Sequence, residues 1–133
     1  MHIKDVILSK GLTGFYFDDQ KAIRHGDYVV NGLSYDGEPV TPGFVNIRQA
    51  GESVSVQLVL ANGQVAYGDC AAVQYSGAGG RDPLFLADDY IPLIEKYIVP
   101  ALIGKELTSF RKLAKEIDLI TDDSGKPLHT AIR

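Results

Sequence analysis

The stretch SVSVQLVLANGQVAYGDC, residues 53–70, decides the fold. Apolar and polar residues alternate from Ser53 to Leu60, with only Val59 out of phase, which predicts a strand with one buried face. The dipeptide Asn62-Gly63 is the strongest short hairpin signal, because a tight hairpin turn needs positive φ at both positions. Residues Gln64–Cys70 therefore predict a second strand that returns antiparallel to the first.

Upstream residues extend this pattern. Phe44–Gln49 predicts a further strand joined through a turn at Ala50–Glu52, so that 44–70 forms an antiparallel meander of three strands. His2–Leu8 predicts a separate first strand, and Tyr28–Val30 a short strand piece. Residues 9–27, rich in glycine and aromatics, predict a long loop with one helical turn at 19–25.

Downstream residues change to helical spacing. Asp82 and Pro83 predict the N-cap and first position of a helix, which Pro92 kinks or splits and Pro100 ends. Thr108 or Ser109 predicts the cap of a second helix. The run Asp122–Pro127 predicts a turn, and LHTAIR at 128–133 the beginning of another helix. The fold class is α+β: a three-stranded antiparallel meander followed by helices.

Composition limits the function classes. The 133 residues fit one domain, and the net charge of −4 with 13 scattered Lys and Arg argues against nucleic acid as a partner. A single cysteine allows no internal disulfide and fits a reducing compartment. No run approaches the roughly 20 apolar residues of a membrane span, and the apolar run near the N-terminus is shorter than a signal peptide requires. We therefore expect a soluble, cytoplasmic domain.

Residues 73–81, between the last meander strand and Asp82, are glycine-rich. SGAGGRD at 76–82 lacks the Lys-Ser/Thr pair of a phosphate loop, so glycines that allow sharp turns are the favoured reading over phosphate binding. Gln74 either satisfies the local backbone or presents its amide to a ligand, and the residues alone leave these two open. In the first of these alternatives Tyr75 packs.

The remaining candidates favour structural roles. Asp18-Asp19 is interpreted as a solvated or helix-capping pair. The three histidines, at positions 2, 25 and 129, form no metal-ligand spacing, so a surface or capping role is expected for each. Cys70 ends an apolar strand, which favours a buried, inert thiol. The residues predict no catalytic group and no metal site in this chain.

Five runs of sequence resemble the N-terminal part of the methylaspartate ammonia-lyase (3-methylaspartase) family, within the enolase superfamily. They are GLTGFYFDDQ at 11–20, GESVSVQLVL at 51–60, GDCAAVQYSGAGGRDPLF at 68–85, IPLIEKYIVPALIG at 91–104 and LHTAIR at 128–133. The resemblance spans essentially the whole chain.

This resemblance implies an N-terminal capping domain, residues 1–133, of an enzyme whose (β/α) barrel is absent from the chain. The family reversibly eliminates ammonia from L-threo-3-methylaspartate to give mesaconate, using Mg²⁺, K⁺ and a base that the barrel carries. Gln74 matches the cap residue that lines the substrate pocket. The loop at 11–20 is expected to lie over the barrel mouth.

Two expectations follow for the isolated chain. It should have no lyase activity, because the catalytic groups belong to its own barrel domain. It should self-associate as a homo-oligomer, because parts of the helices and the loops at 11–17 and 74–80 would expose an apolar face. The alternatives are a non-enzymatic module that binds a small acid or docks on a separate barrel, and a phosphate-binding enzyme that uses residues 76–82.

Overall fold

Three antiparallel strands form the main sheet in the computed structural model, which describes residues 1–72 and 82–133. The strands are β1 (Ile3–Asp18), β4 (Arg48–Leu60) and β5 (Val65–Ala71), with β4 in the centre. Between the first two, the chain forms α1 (Gln20–His25) and a small hairpin of β2 (Tyr28–Asn31) and β3 (Ser34–Gly37). The helical turn at 19–25, the strand at 28–30 and the three-stranded antiparallel sheet are confirmed.

Helices follow the sheet and cover one of its faces. They are α2 (Ala87–Leu93), a π-helical turn (Ile94–Ile98), α3 (Val99–Leu102) and α4 (Phe110–Asp118). Ile3, Val54 and Leu60 of the sheet pack with Ile94, Ile98 and Leu102 in the main core. A second, smaller cluster contains Phe17, Phe44 and Leu84. The α+β class is confirmed.

The first strand is longer than predicted, because residues 9–18 pair with β4 instead of forming a loop. Gly11 lies close to Ser53 of β4. A Cβ at position 11 would be only 2.9 Å from the Ser53 hydroxyl oxygen. A glycine at this position thus allows close strand approach, although in the sequence it resembled a loop residue.

The prediction of a strand at 44–49 and a turn at 50–52 is wrong. The strand begins at Arg48 and runs without a break through Gly51 to Leu60. Phe44 instead lies in an irregular segment and is buried in the second cluster. The third strand of the sheet is therefore β1.

The hairpin at 60–65 is confirmed, but its turn differs from the predicted one. Gly63 has a φ of 86°, whereas no non-glycine residue among those described has positive φ. The Gly63 amide donates to the Leu60 carbonyl at 2.9 Å, and the Leu60 amide donates to the Gln64 carbonyl at 2.8 Å. A longer loop thus needs positive φ only at the glycine.

The first long helix begins at Ala87, and not at Asp82 and Pro83 as predicted. Leu84 is buried in the second cluster and Phe85 in the main core, so consecutive side chains point to opposite sides. An extended backbone allows this alternation, whereas a helix would place both on neighbouring faces.

Two prolines bracket the π-helical turn. Pro92 lies inside α2, and Pro100 lies at the start of α3 and does not end the helical segment. Each proline lacks an amide hydrogen and crowds the carbonyl four residues earlier. For Pro100 that carbonyl belongs to Lys96, inside the π-helical turn, and the wider turn relieves the crowding. The helix α2 continues through Pro92 to Leu93, so it is not split at this proline.

The C-terminal segment differs in part from the prediction. The turn at 122–127 is confirmed, and Ser109 is the N-cap of α4. Residues 128–133 form a single turn in place of a starting helix, with the Ile132 amide donating to the His129 carbonyl at 2.9 Å. None of the helices in the described ranges is long and apolar enough to cross a membrane.

Candidate functional site at one end of the sheet

One end of the main sheet gathers both flanks of the glycine-rich segment. Ser53 of β4 pairs with Gly11 of β1 on one side and with Ala71 of β5 on the other. Gly11 and Ala71, on the two edge strands, therefore lie side by side with Ser53 at this end of the sheet. Gln74, the predicted substrate-binding residue, lies in 73–81, outside the described residues. The site is consequently built from its flanks.

A bulge in β1 displays two apolar side chains at this end. Residues 13–15 of β1 lie opposite the single β4 residue Gly51. The Thr13 hydroxyl donates to the Phe15 carbonyl at 3.1 Å and accepts from the Phe15 amide at 3.2 Å. Leu12 and Phe15 are 70% and 74% exposed. The bulge thus turns apolar side chains outward, as bulges beside functional sites often do.

Gly51→Ala is expected to lower the free energy of unfolding by about 1–3 kcal/mol, the usual range for overpacking. A Cβ at this position would lie 2.3 Å from the Thr13 hydroxyl oxygen and 2.8 Å from the Phe15 carbonyl oxygen. Urea unfolding followed by circular dichroism measures the loss. Gly14→Ala in the same bulge is the control, since a Cβ there meets nothing within 4 Å. An equal loss at both glycines would contradict the explanation.

Charged groups connect the start of α2 to this end of the sheet. The Glu52 carboxylate accepts from the Ala87 amide at 3.0 Å, which satisfies a free donor of the helix N-terminus. Lys10 lies 3.0 Å from Asp88 and 3.8 Å from Glu52. The hydrogen bond to Asp88 raises the pKa of Lys10, so this lysine stays cationic and cannot serve as a base near neutral pH.

The C-terminal latch (His129 and Thr130 with Asp82 and Pro83) holds the second flank. His129 Nε2 lies 2.9 Å from the Pro83 carbonyl oxygen, and Nδ1 accepts from the Ala131 amide at 3.0 Å. A neutral imidazole has one donor and one acceptor nitrogen, so these partners place the hydrogen on Nε2. The Thr130 hydroxyl donates to the Asp82 carboxylate.

Aromatic rings surround the histidine of the latch. The centroid of the His129 ring lies 5.1 Å from those of both Phe85 and Tyr90, and these two rings stack at 4.7 Å. Burial raises the pKa of the Tyr90 hydroxyl, so it remains a neutral phenol. His129 is itself buried, so a surface position is wrong for it, whereas the bond from the Ala131 amide to Nδ1 caps the local backbone.

The other candidate residues, Cys70, Asp18 and Asp19, stabilise the fold. Cys70 is buried as predicted, and burial raises the pKa of its thiol to about 11, which leaves little thiolate at neutral pH. Asp18 pairs with Arg48, and Asp19 caps α1, so the prediction of a capping residue holds for Asp19 while both carboxylates are buried and not solvated.

The residues that the structure describes do not fit a magnesium site. Within residues 1–72 and 82–133, no group of three or more His, Cys, Asp or Glu side chains is placed to hold a metal ion. Magnesium prefers carboxylate and other oxygen ligands that surround it. No chemical step of a metal ion can therefore be derived from these residues.

Sequence reasoning missed the latch. His129 is 46 residues away from Pro83 in the chain, and Thr130 is 48 away from Asp82. The sequence around 128–133 indicated only helix formation, and no local pattern links it to 82–83. Asp82 was interpreted as a helix cap, whereas its carboxylate accepts from a distant hydroxyl.

The fold and its exposed end define an α+β domain whose helices cover one face of a small antiparallel sheet. The family model described as "Methylaspartate ammonia-lyase N-terminus" matches residues 1–133, and the chain belongs to this family.

Relatives and solved structures agree with this assignment. The chain is 62% identical to methylaspartate ammonia-lyase of Clostridium tetanomorphum, over all of this chain and 32% of the relative. It is 50% identical to the enzyme of Haloarcula marismortui, over all of this chain and 32% of that relative. The chain thus spans about a third of the length of these relatives.

Two crystal structures are close to the fold. The Mg complex of beta-methylaspartase from Clostridium tetanomorphum matches with a TM-score of 0.94 and 62% identity, over 99% of this chain and 32% of that one. The Citrobacter amalonaticus enzyme containing (2S,3S)-3-methylaspartic acid matches with a TM-score of 0.91 and 54% identity, over 99% and 32%.

Proposed function

We propose that this chain acts as the N-terminal domain of an enzyme that reversibly eliminates ammonia from L-threo-3-methylaspartate to give mesaconate. The observation that carries the proposal is the match of the family model to residues 1–133. The Citrobacter amalonaticus relative, whose structure contains (2S,3S)-3-methylaspartic acid, supports an amino dicarboxylic acid as the substrate.

The domain's task in this proposal is to cap a (β/α) barrel, to exclude water and to shape the substrate pocket. The exposed Leu12 and Phe15 of the bulge support an apolar contact with another domain at this end of the sheet. Gln74 is proposed as a substrate-binding residue whose amide can donate to and accept from the substrate.

The wider setting is part of the same proposal. Mg²⁺ and K⁺ would be held by the barrel, and the Mg complex of the Clostridium tetanomorphum relative supports the first of them. The enzyme would work in the cytoplasm as a homo-oligomer, with no nucleic acid partner, which the net charge of −4 supports.

The test uses a hybrid in which residues 1–133 are joined to the remaining two thirds of the Clostridium tetanomorphum enzyme. We expect the hybrid to form mesaconate, followed by its absorbance with Mg²⁺ and K⁺ present, and the isolated chain to form none. In the hybrid, Gln74→Ala should raise KM about tenfold, which corresponds to one lost hydrogen bond to a charged substrate.

Gln57→Ala, in the middle of β4, is the matched control and should leave KM unchanged. Turnover by the purified isolated chain would overturn the proposal that the catalytic groups belong to the barrel. An inactive, folded hybrid would overturn the proposed reaction. Heat released when 3-methylaspartate is titrated into the isolated chain would instead favour a small-acid-binding module.

A further inference from the structure

We propose that an open apolar groove beside α4 binds the segment that follows residue 133 in the relatives, folded as an amphipathic helix. The groove has a volume of about 550 Å³. Its lining includes residues of the sheet, of α4 and of the C-terminal segment: Leu58, Ala66, Leu113, Ala114, Ile117 and Arg133. The proposal goes beyond the proposed function, because it depends on the family and on the length of the relatives and not on the reaction.

The sheet wall of this groove is an apolar surface that the helices leave uncovered. Leu58 of β4 pairs with Ala66 of β5, so the two side chains lie next to each other on one face of the sheet. Leu58 packs against the main core, which places both on the face that the helices cover, yet Ala66 is exposed. The helical layer therefore ends before it reaches Ala66.

The opposite wall is the apolar face of α4, which nothing among the described residues buries. Phe110, Leu113, Ala114 and Ile117 occupy positions i, i+3, i+4 and i+7, so they share one side of the helix. No residue of α4 is buried, and Phe110 is 87% exposed. Because a short amphipathic helix depends on the packing of its apolar face, α4 requires a partner in the groove.

The relatives supply such a partner. The family model described as an N-terminus matches residues 1–133, and these residues correspond to 32% of the Clostridium tetanomorphum enzyme. Further residues therefore follow the position of Arg133 in that enzyme. Arg133 itself lines the groove, and its guanidinium lies 3.4 Å from the carboxylate of Asp118, the last residue of α4. A chain that continues from this point begins at one end of the groove.

The shape and chemistry of the groove favour a helix for this segment. α4 has nine residues, so a helix that starts beside Asp118 and runs antiparallel to α4 needs about 14 Å, or about nine residues. A helix bonds its own backbone, whereas an extended segment would leave amides and carbonyls unpaired against apolar walls. Ala131 and Ile132 pack against the main core, and the Ile132 amide donates to the His129 carbonyl at 2.9 Å. The chain thus reaches the groove already fixed and turning.

The experiment measures how fast iodoacetamide alkylates a cysteine placed in the groove. Ala114→Cys puts a thiol on the groove wall, and Lys115→Cys puts one at the next exposed position, outside the lining. Native Cys70 is buried with a raised pKa and stays unreactive. Each variant is made in the isolated chain, in the hybrid, and in an extended chain that adds the next residues of the Clostridium tetanomorphum enzyme, about 20, twice what the groove requires. Peptide mass spectrometry reads each position, and the rate in urea-unfolded protein corrects for thiol reactivity.

The two thiols should react at similar rates in the isolated chain, since both positions are exposed. In the extended chain and in the hybrid, the thiol at position 114 should react about 100-fold more slowly, and the thiol at position 115 at an unchanged rate. Equal rates at position 114 in the isolated and extended chains would overturn the inference, even with a protected hybrid, because a distant part of the barrel would then cover the groove. Slow, concentration-dependent alkylation of the isolated chain would overturn it too, since a second copy would be the occupant.

Phe110→Ala gives an independent measurement if a thiol at position 114 disturbs the groove. Because Phe110 is 87% exposed, its loss should leave the urea midpoint of the isolated chain unchanged. In the extended chain the same change should lower the midpoint by about 1 M. Leu119→Ala is the matched control: Leu119 is 71% exposed and lies outside the groove lining, so neither midpoint should move.

An extended chain whose midpoint is the same with and without Phe110→Ala would overturn the inference. A hybrid that protects position 114 but has no turnover would overturn the proposed reaction and leave the inference standing. The two failures are therefore distinguishable.

Discussion

Asp19→Ala is expected to lower the free energy of unfolding by about 3 kcal/mol or more, since it leaves several buried donors without an acceptor. The Asp19 side chain, 1% exposed, accepts from the Val40 and Thr41 amides at 2.8 and 2.9 Å. It also accepts from the Ala22 amide at 3.2 Å and the Thr41 hydroxyl at 2.7 Å. One carboxylate thus joins α1 to residues 40–41, and urea unfolding measures its contribution.

Two further variants separate charge from shape. Asp19→Asn keeps the shape but turns an NH₂ group toward N–H donors, so it should be destabilising although it is isosteric. Asp36→Asn is the control: its exposed carboxylate accepts from the Ser34 hydroxyl at 2.7 Å and the Asn46 amide at 3.0 Å, and little change is expected. Equal losses for Asp19→Asn and Asp36→Asn would contradict the role given to buried donors.

The same carboxylate predicts an acid dependence. Burial alone would raise the pKa of Asp19, but the hydrogen bonds from Thr41, Val40 and Ala22 outweigh it and hold the pKa below the ordinary value. The folded pKa is therefore lower than the unfolded one, near 3.9. The stability from this group is fully present above about pH 3.9 and is lost as the pH falls through the folded pKa. Asp19→Asn should lack this component of the acid sensitivity.

Local patterns were sufficient for some elements. The alternation of apolar residues at 53–60 and the glycine at 63 located the hairpin of β4 and β5. Ser109 located the start of α4. In the hairpin, neighbours in sequence are also neighbours in space, so a local pattern describes the whole interaction. Ser109 takes the N-cap position of α4, although its side chain makes no capping hydrogen bond there.

Distant pairings could not be predicted in the same way. Gly11 and Gly51 resembled loop and turn residues, but each allows close approach of β1 and β4, which are separated by α1 and a hairpin. The site divides similarly. The role of Gln74 rests on a family resemblance and stays a prediction, whereas the latch depends on a contact across 46 residues that has no local signature.

Arg48→Met is expected to lower the free energy of unfolding by about 3–5 kcal/mol, because it leaves the Asp18 carboxylate buried without its partner. Arg48 Nε and Nη2 donate to the two Asp18 oxygens at 2.6 and 2.8 Å, and the side chains are only 17% and 12% exposed. The guanidinium also lies 3.8 Å from the Tyr35 ring centroid, so it attaches the β2–β3 hairpin to the sheet. Its bond to Asp18 raises the pKa of Arg48, which stays charged throughout.

Arg48→Lys should recover only part of this loss, since an ammonium group cannot reproduce the two parallel bonds or stack on the tyrosine. Adding Asp18→Asn to Arg48→Met should return about 1–3 kcal/mol, because no charge is then left buried. Lys96→Met, which breaks an exposed pair with Asp123, is the control and should change stability little. If Arg48→Met and Lys96→Met lowered the urea midpoint equally, the buried pair would not be what joins the hairpin to the sheet.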